Sequence, residues 1–101
     1  MPSNLRMYID FTADLQRVIN CLINNNEKSA AIFFIHALEI YNKKILPVID
    51  VKYFPEDLHL QWKKLSCQDM PKTKKELLRF ADKVLTIYTI LFNRTTYYAF
   101  N

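Results

Sequence analysis

The chain has 101 residues, of which 50% are hydrophobic, 14% aromatic and 24% charged, and its formal net charge is +4. This composition is typical of a globular protein, and the length suits one domain over residues 1–101. Because the chain contains no glycine, it cannot contain the glycine-rich turns of dinucleotide-binding folds, P-loops or GxSxG elbows.

The sequence contains no stretch that predicts a membrane span. The longest uninterrupted apolar run, residues 30–35, is far shorter than the roughly 20 residues that cross a bilayer. No basic stretch followed by an apolar segment and a small-residue cleavage site opens the sequence, so we expect no signal peptide. Cys21 and Cys67 are single and far apart, which favours free thiols in a reducing compartment. We therefore expect a cytoplasmic protein.

The first stretch of the chain supports two interpretations. Its apolar residues alternate over residues 5–12, as in a strand. A helical stripe also begins there, and Arg6 and Asp10 are spaced to form an ion pair on a helix. We predict a helix over about residues 4–24, with the apolar stripe Tyr8, Phe11, Leu15, Val18, Ile19 and Leu22.

Three consecutive asparagines, residues 24–26, mark the first break. Asparagine tolerates the left-handed backbone and also caps helices, so it can end one helix and begin the next. We predict a second helix over about residues 26–46, stopped by Pro47. This helix is apolar nearly all round, so we expect it to be the buried centre of the bundle, covered by the first and last helices, or to face a second chain.

The next segment, residues 47–54, is predicted to be an extended linker. Pro55 suits the first position of a third helix, and Glu56 and Asp57 follow where acidic residues favour a helix N-terminus. This shorter helix has a narrow apolar stripe, and residues 66–72 form the next loop. Four helices joined by short loops predict an all-α fold, a small antiparallel helical bundle.

The last helix has the clearest signals and is predicted over residues 73–92. Thr73 and Glu76 form a capping box. Behind them an apolar stripe predicts one buried face: Leu77, Phe80, Ala81, Val84, Tyr88 and Leu91. Charged and polar residues fall on the other side: Lys75, Arg79, Asp82, Lys83 and Thr86. For residues 95–100 we expect an extended tail that packs back on the bundle, although the pattern leaves a helix open.

The sequence contains no motif for catalysis, a cofactor or a metal. The two histidines and two cysteines are not paired at the spacing of a zinc site. We expect His36 to lie in the core or an interface with one hydrogen bond, and His59 to lie on the surface. The three serines are better explained as helix caps or surface residues than as nucleophiles, so we expect no enzyme.

The stretch Leu15–Lys44 resembles the first helical hairpin of HEPN-domain proteins. That family includes RNA-cleaving toxins, whose active site is an arginine followed at a short interval by a histidine. No arginine lies four to six residues before His36 or His59. The resemblance therefore implies a non-catalytic relative.

Two groups of residues are candidates for binding a partner. The first is a basic cluster, which predicts contact with phosphates or an acidic protein: Lys72, Lys74, Lys75, Arg79 and Lys83. Because Glu76 and Asp82 interleave it, the cluster is also consistent with a solvated helix face. The second is the aromatic tail with Tyr97, Tyr98 and Phe100, which either binds a partner or closes the end of the bundle.

These observations predict a small non-enzymatic protein that binds another protein, as inhibitors, immunity proteins and antitoxins do. The alternative is a nucleic-acid-binding regulator that uses the basic face of the last helix. We also expect a homodimer or a stable hetero-complex, because the second helix is more apolar than one small bundle needs.

Overall fold

The computed structural model describes residues 3–68 and 71–100, which form a small all-α bundle, as predicted. The four α-helices are α1 (Ser3–Ile23), α2 (Glu27–Ile40), α3 (Glu56–Ser66) and α4 (Lys74–Phe100). A π-helical turn (Tyr41–Ile45) and a 3-10 turn (Leu46–Val48) continue the chain directly after α2. The structure contains no β-strand within the described residues, so the helical interpretation of residues 4–12 is confirmed.

The first helix lies at the centre of the bundle, and the prediction that the second helix does so is wrong. α1 packs against both α2 and α4. α2 buries one face only, while Ile32 and Ile35 on its other sides are exposed. Apolar residues around a helix do not decide which side is covered, because single hydrophobic side chains on a surface are tolerated. The fully buried large residues of α1 include Tyr8, Phe11, Leu15 and Val18.

Asparagines make the turn between α1 and α2, as the sequence predicted. Asn25 has a φ of 58°, a left-handed conformation that asparagine adopts more readily than most residues. The side chain of Asn26 then accepts a hydrogen bond from the Ser29 N–H at 3.2 Å. One asparagine therefore reverses the chain and the next caps α2.

The capping box of α4 forms as predicted, with one shift. Thr73 Oγ1 accepts a hydrogen bond from the Glu76 N–H at 3.2 Å. The Glu76 carboxylate in turn accepts from the N–H of Lys72, one residue before the cap, at 3.3 Å. In the stripe behind the cap, Phe80, Val84 and Leu91 are buried with Ile87 and Thr95, whereas Leu77, Ala81 and Tyr88 are half-buried.

The tail is helical, which decides between the two interpretations that the sequence left open. α4 continues to Phe100 because its last turns still pack against the rest of the bundle. Thr95 is buried, and the ring of Tyr98 packs at 5.5 Å on the ring of Tyr53. Tertiary packing here outweighs the strand preference of aromatic and β-branched residues.

Aromatic rings join the four helices in the core. Trp62 anchors α3, with its ring 4.9 Å from Phe11 of α1 and 5.5 Å from Phe34 of α2. Phe34 in turn contacts Phe80 of α4 at 5.3 Å. α3 thus packs beside α4, and this placement creates the clefts described next.

Candidate partner-binding site

Two adjoining clefts contain part of the predicted basic cluster, the first between α4 and the loop before it and the second between α3 and α4. Arg79 and Lys83 line the first cleft, which has a volume of about 210 Å³. Lys64 and Lys83 line the second, of about 180 Å³. Because Gln68 and Lys83 line both clefts, the two clefts form one surface, which we call the basic groove.

The floor of the basic groove comes from the apolar stripes of the two helices. Phe80 and Ile87 of α4 and Leu65 of α3 line it and are almost fully buried. Arg79 and Lys83 are four residues apart, so they lie on one side of α4, beside this stripe. Long basic side chains at the edge of an apolar surface keep their charges in water while their stems cover it.

The charge of the basic groove is mainly positive. Its acidic residue is Glu76, at the end nearest the helix cap. Asp82, which the sequence interleaves with the basic residues, does not line either cleft. The helix therefore places Asp82 away from Arg79 and Lys83, although the three residues are close together in the sequence.

The remaining lysines of the predicted cluster lie outside the basic groove. Lys74 lines a different cleft, between α1 and α4, with Ile23 and Leu78 among its neighbours. Lys72 and Lys75 are exposed and line none of these clefts. The predicted cluster is thus divided between two sides of α4.

The aromatic tail lies far from the basic groove. Tyr97 is 18 residues, or five helical turns, after Arg79, so the two lie on one face of α4 about 27 Å apart. Tyr98 is the more covered of the two tyrosines, since Lys52 Nζ lies 5.1 Å from its ring centre. Tyr97 is 58% exposed and contacts the Tyr98 ring edge-on at 4.9 Å. Phe100 ends α4, but its side chain lies outside the described residues.

The structure also contains an apolar cleft that sequence reasoning missed, and we call it the apolar groove. It has a volume of about 230 Å³ and lies between α2, the end of α3 and Phe80 of α4. The residues that line it are mostly apolar: Ala31, Phe34, Ile35, Leu38, Ser66, Gln68 and Phe80. The sequence of the second helix could have predicted this cleft. Its isoleucines occur on several sides of the helix, so one core cannot bury all of them.

A polar cluster links α1 to α2 on the opposite flank. The Asp14 carboxylate is 1% exposed and accepts hydrogen bonds from Arg17 Nη1, at 2.8 Å, and from His36 Nδ1. His36 has the single hydrogen bond that we expected, but its side chain is exposed, so the core placement is wrong. At the edge of the bundle, the His36 imidazole keeps its hydrogen bond to Asp14 and also stays in contact with water. Its polar atoms therefore lose less hydration than they would in the core.

The cluster lies at the edge of a cleft of about 180 Å³ that Lys44 also lines. The fold thus brings Arg17 and His36 to one carboxylate, although no arginine stands at the expected interval before the histidine in the sequence. No hydroxyl or thiol side chain lines this part of the described structure.

His59 is half-buried and not a surface residue as expected. Its Nε2 is hydrogen-bonded to the Tyr41 hydroxyl, and its ring packs at 5.7 Å against Phe54. Burial lowers the pKa of His59 below 6.5, and the charge of Lys63 adds to this effect. Burial also raises the pKa of Tyr41 above 10.0.

Cys21 and Cys67 are free thiols, the first half-buried and the second exposed. Within residues 3–68 and 71–100, no three side chains of His, Cys, Asp or Glu come together as metal ligands. In the same part of the chain, no helix has the length and apolarity to cross a bilayer.

Comparisons of the chain with protein-family models, with curated proteins and with solved structures find no match. No family assignment follows from them.

Proposed function

We propose that the protein is a small non-enzymatic binding module for an acidic protein partner, of the kind that inhibitors, immunity proteins and antitoxins represent. One observation carries this proposal: Lys64, Arg79 and Lys83 converge on a groove with an apolar floor. Protein interfaces combine buried apolar contact with a charged rim. Such a rim acts mainly on the rate of association and on the choice of partner.

Nucleic acid is the alternative occupant, and the groove supports it less well. Binding to a nucleic acid backbone needs cations along a path of phosphates, and single-stranded binding adds exposed aromatic rings for stacking. Lys74 lies on the other side of α4, which breaks such a path. The aromatic residue that lines the basic groove, Phe80, is buried beneath it.

A homodimer also belongs to this proposal, and α4 offers a place for it. Leu78, Leu85 and Phe92 are exposed and seven residues apart, so they form one apolar stripe along the helix. A second copy of the chain would cover this stripe, away from the basic groove. For the compartment we propose the cytoplasm, because two free thiols suit a reducing environment.

The two partner classes are separated by measuring affinity for poly-L-glutamate, a DNA duplex of random sequence and a single-stranded RNA at physiological salt. We expect weak binding to both nucleic acids. We expect poly-L-glutamate to shift amide NMR signals of Lys64, Gln68 and Lys83. Low-micromolar binding to DNA or RNA that Lys83→Glu removes and Lys75→Glu retains would instead establish nucleic acid as the partner.

A further inference from the structure

We infer that the basic groove and the apolar groove are one continuous docking surface, and that its occupant is an amphipathic acidic segment of a protein. Apolar side chains of that segment lie between α2 and α4, and its carboxylates lie at Lys64, Arg79 and Lys83. This inference rests on the proposed function and adds the chemistry of the partner to it.

Two shared residues make the surface continuous. Gln68, after the end of α3, lines the apolar groove and both clefts of the basic groove. Phe80 lines the apolar groove on one side and the first basic cleft on the other. A segment that leaves one groove therefore enters the other over Gln68 and the edge of the Phe80 ring.

The apolar end of the surface has side chains that water still reaches. Ile35 is 56% exposed, and Leu38 and Ala31 are half-buried beside it. These residues form a concave surface, so an apolar side chain that enters it displaces water from both partners at once. Ile32, on the same helix and 65% exposed, does not line the groove.

The charges at the other end select an acidic segment. Lys64, Arg79 and Lys83 form no ion pair with any residue in the described part of the chain. Carboxylates from a partner would form ion pairs with these three side chains. Glu76 at one edge of the groove would repel them, and so it would restrict their positions. A second copy of this chain is a poor occupant, because its net charge is +4 and its Asp10 and Asp14 already pair within α1.

The partner chemistry can be selected without knowing the natural partner. The purified full chain is immobilised and used to select binders from a phage library of random 15-residue peptides. We expect enriched peptides to contain both Asp or Glu and Leu, Ile or Phe. One enriched peptide is then synthesised, and its affinity is measured for four variants of the chain.

The four variants form two matched pairs. Ile35→Lys and Lys83→Glu change residues that line the surface, and each should weaken binding about tenfold or more, as changes at interface centres do. Ile32→Lys and Lys75→Glu change exposed residues of the same helices that lie outside it. These controls should change the affinity by less than about twofold. Circular dichroism confirms the fold of each variant, and Ile35→Gln replaces Ile35→Lys if the latter unfolds.

The outcomes distinguish this inference from the proposed function. Acidic peptides without apolar residues, bound equally well by Ile35→Lys, would overturn the inference and leave the proposed function in place. Apolar peptides without acidic residues, or binding that Lys83→Glu leaves unchanged, would overturn both. A selection that enriches no peptide would also overturn both.

Discussion

The buried carboxylate of Asp14 in α1 is hydrogen-bonded to the imidazole Nδ1 of His36 in α2, 22 positions later in the chain. Asp14→Ala should therefore lower the free energy of unfolding by about 0.5–1.5 kcal/mol, since it removes the shared acceptor of two hydrogen bonds whose donors water can still reach. His36→Ala should lower it by a similar amount, because it leaves Oδ2 of the buried carboxylate without a donor while Arg17 bonds Oδ1 alone. Urea denaturation of both single variants and the double variant measures the coupling, and strictly additive losses would show that the two side chains do not cooperate.

Phe80 should contribute far more to stability than the lysine five residues before it. Phe80 is 2% exposed and contacts the Phe34 ring at 5.3 Å. Phe80→Ala should cost about 3–5 kcal/mol, whereas Lys75→Ala should stay within about 0.5 kcal/mol. Leu77→Ala should fall between them, because Leu77 is half-buried. Equal losses for Phe80 and Lys75 in urea melts would mean that the buried face of α4 is wrongly assigned.

Acidification should destabilise the protein through His59. Its pKa in the folded chain lies below the ordinary value of 6.5, so the unfolded chain takes up the proton first as the pH falls. The contribution of neutral His59 to stability is complete above pH 6.5 and is lost as the pH falls through the lower, folded pKa. The unfolding free energy of the wild type should therefore fall relative to that of His59→Gln below pH 6.5. Parallel pH profiles for the two proteins would contradict this assignment.

The two tyrosines of the tail should differ in their structural roles. Tyr98 packs on Tyr53 at 5.5 Å and lies beneath Lys52, while Tyr97 is the more exposed. Tyr98→Ala should lower stability by about 1–2 kcal/mol, as loss of an aromatic pair does, and Tyr97→Ala should lower it less. Denaturant melts rank the two, and a larger loss for Tyr97 would contradict the packing at this end of the bundle.

Local signals in the sequence predicted the start of α4 and its buried face. A hydroxyl at Thr73, an acid at Glu76 and an apolar period of three to four act within one helix, so no knowledge of the fold is needed to interpret them. The same holds for the asparagine turn, where Asn25 and Asn26 serve the two roles that asparagine suits. The number and order of the helices follow from such signals.

The errors concern contacts between elements. The second helix has a high apolar content, but which helix it packs on depends on the width of the apolar face of α1. The tail was left open between strand and helix because Tyr97 and Tyr98 favour strands, whereas in the structure the tail is helical and Tyr98 packs on Tyr53. A sequence pattern predicts one helix or strand at a time and does not show which other elements that helix or strand packs against.

The candidate site was predicted in part for the same reason. Arg79 and Lys83 belong to the predicted basic cluster, and both line the groove. Lys64, Gln68 and Ile35 do not belong to that cluster. They come from α3, from the loop after it and from α2, so only the packing of three elements brings them together.

The absence of glycine affects the unfolded state as well as the folded one. An average chain of this length would contain about seven glycines, each of which widens the range of backbone conformations available after unfolding. Replacing a glycine by alanine, where the backbone allows it, stabilises a protein by about 0.4–1 kcal/mol through this entropy. The chain therefore loses less conformational freedom on folding than its length suggests, and it accepts a left-handed asparagine at Asn25 where a glycine would have been unstrained.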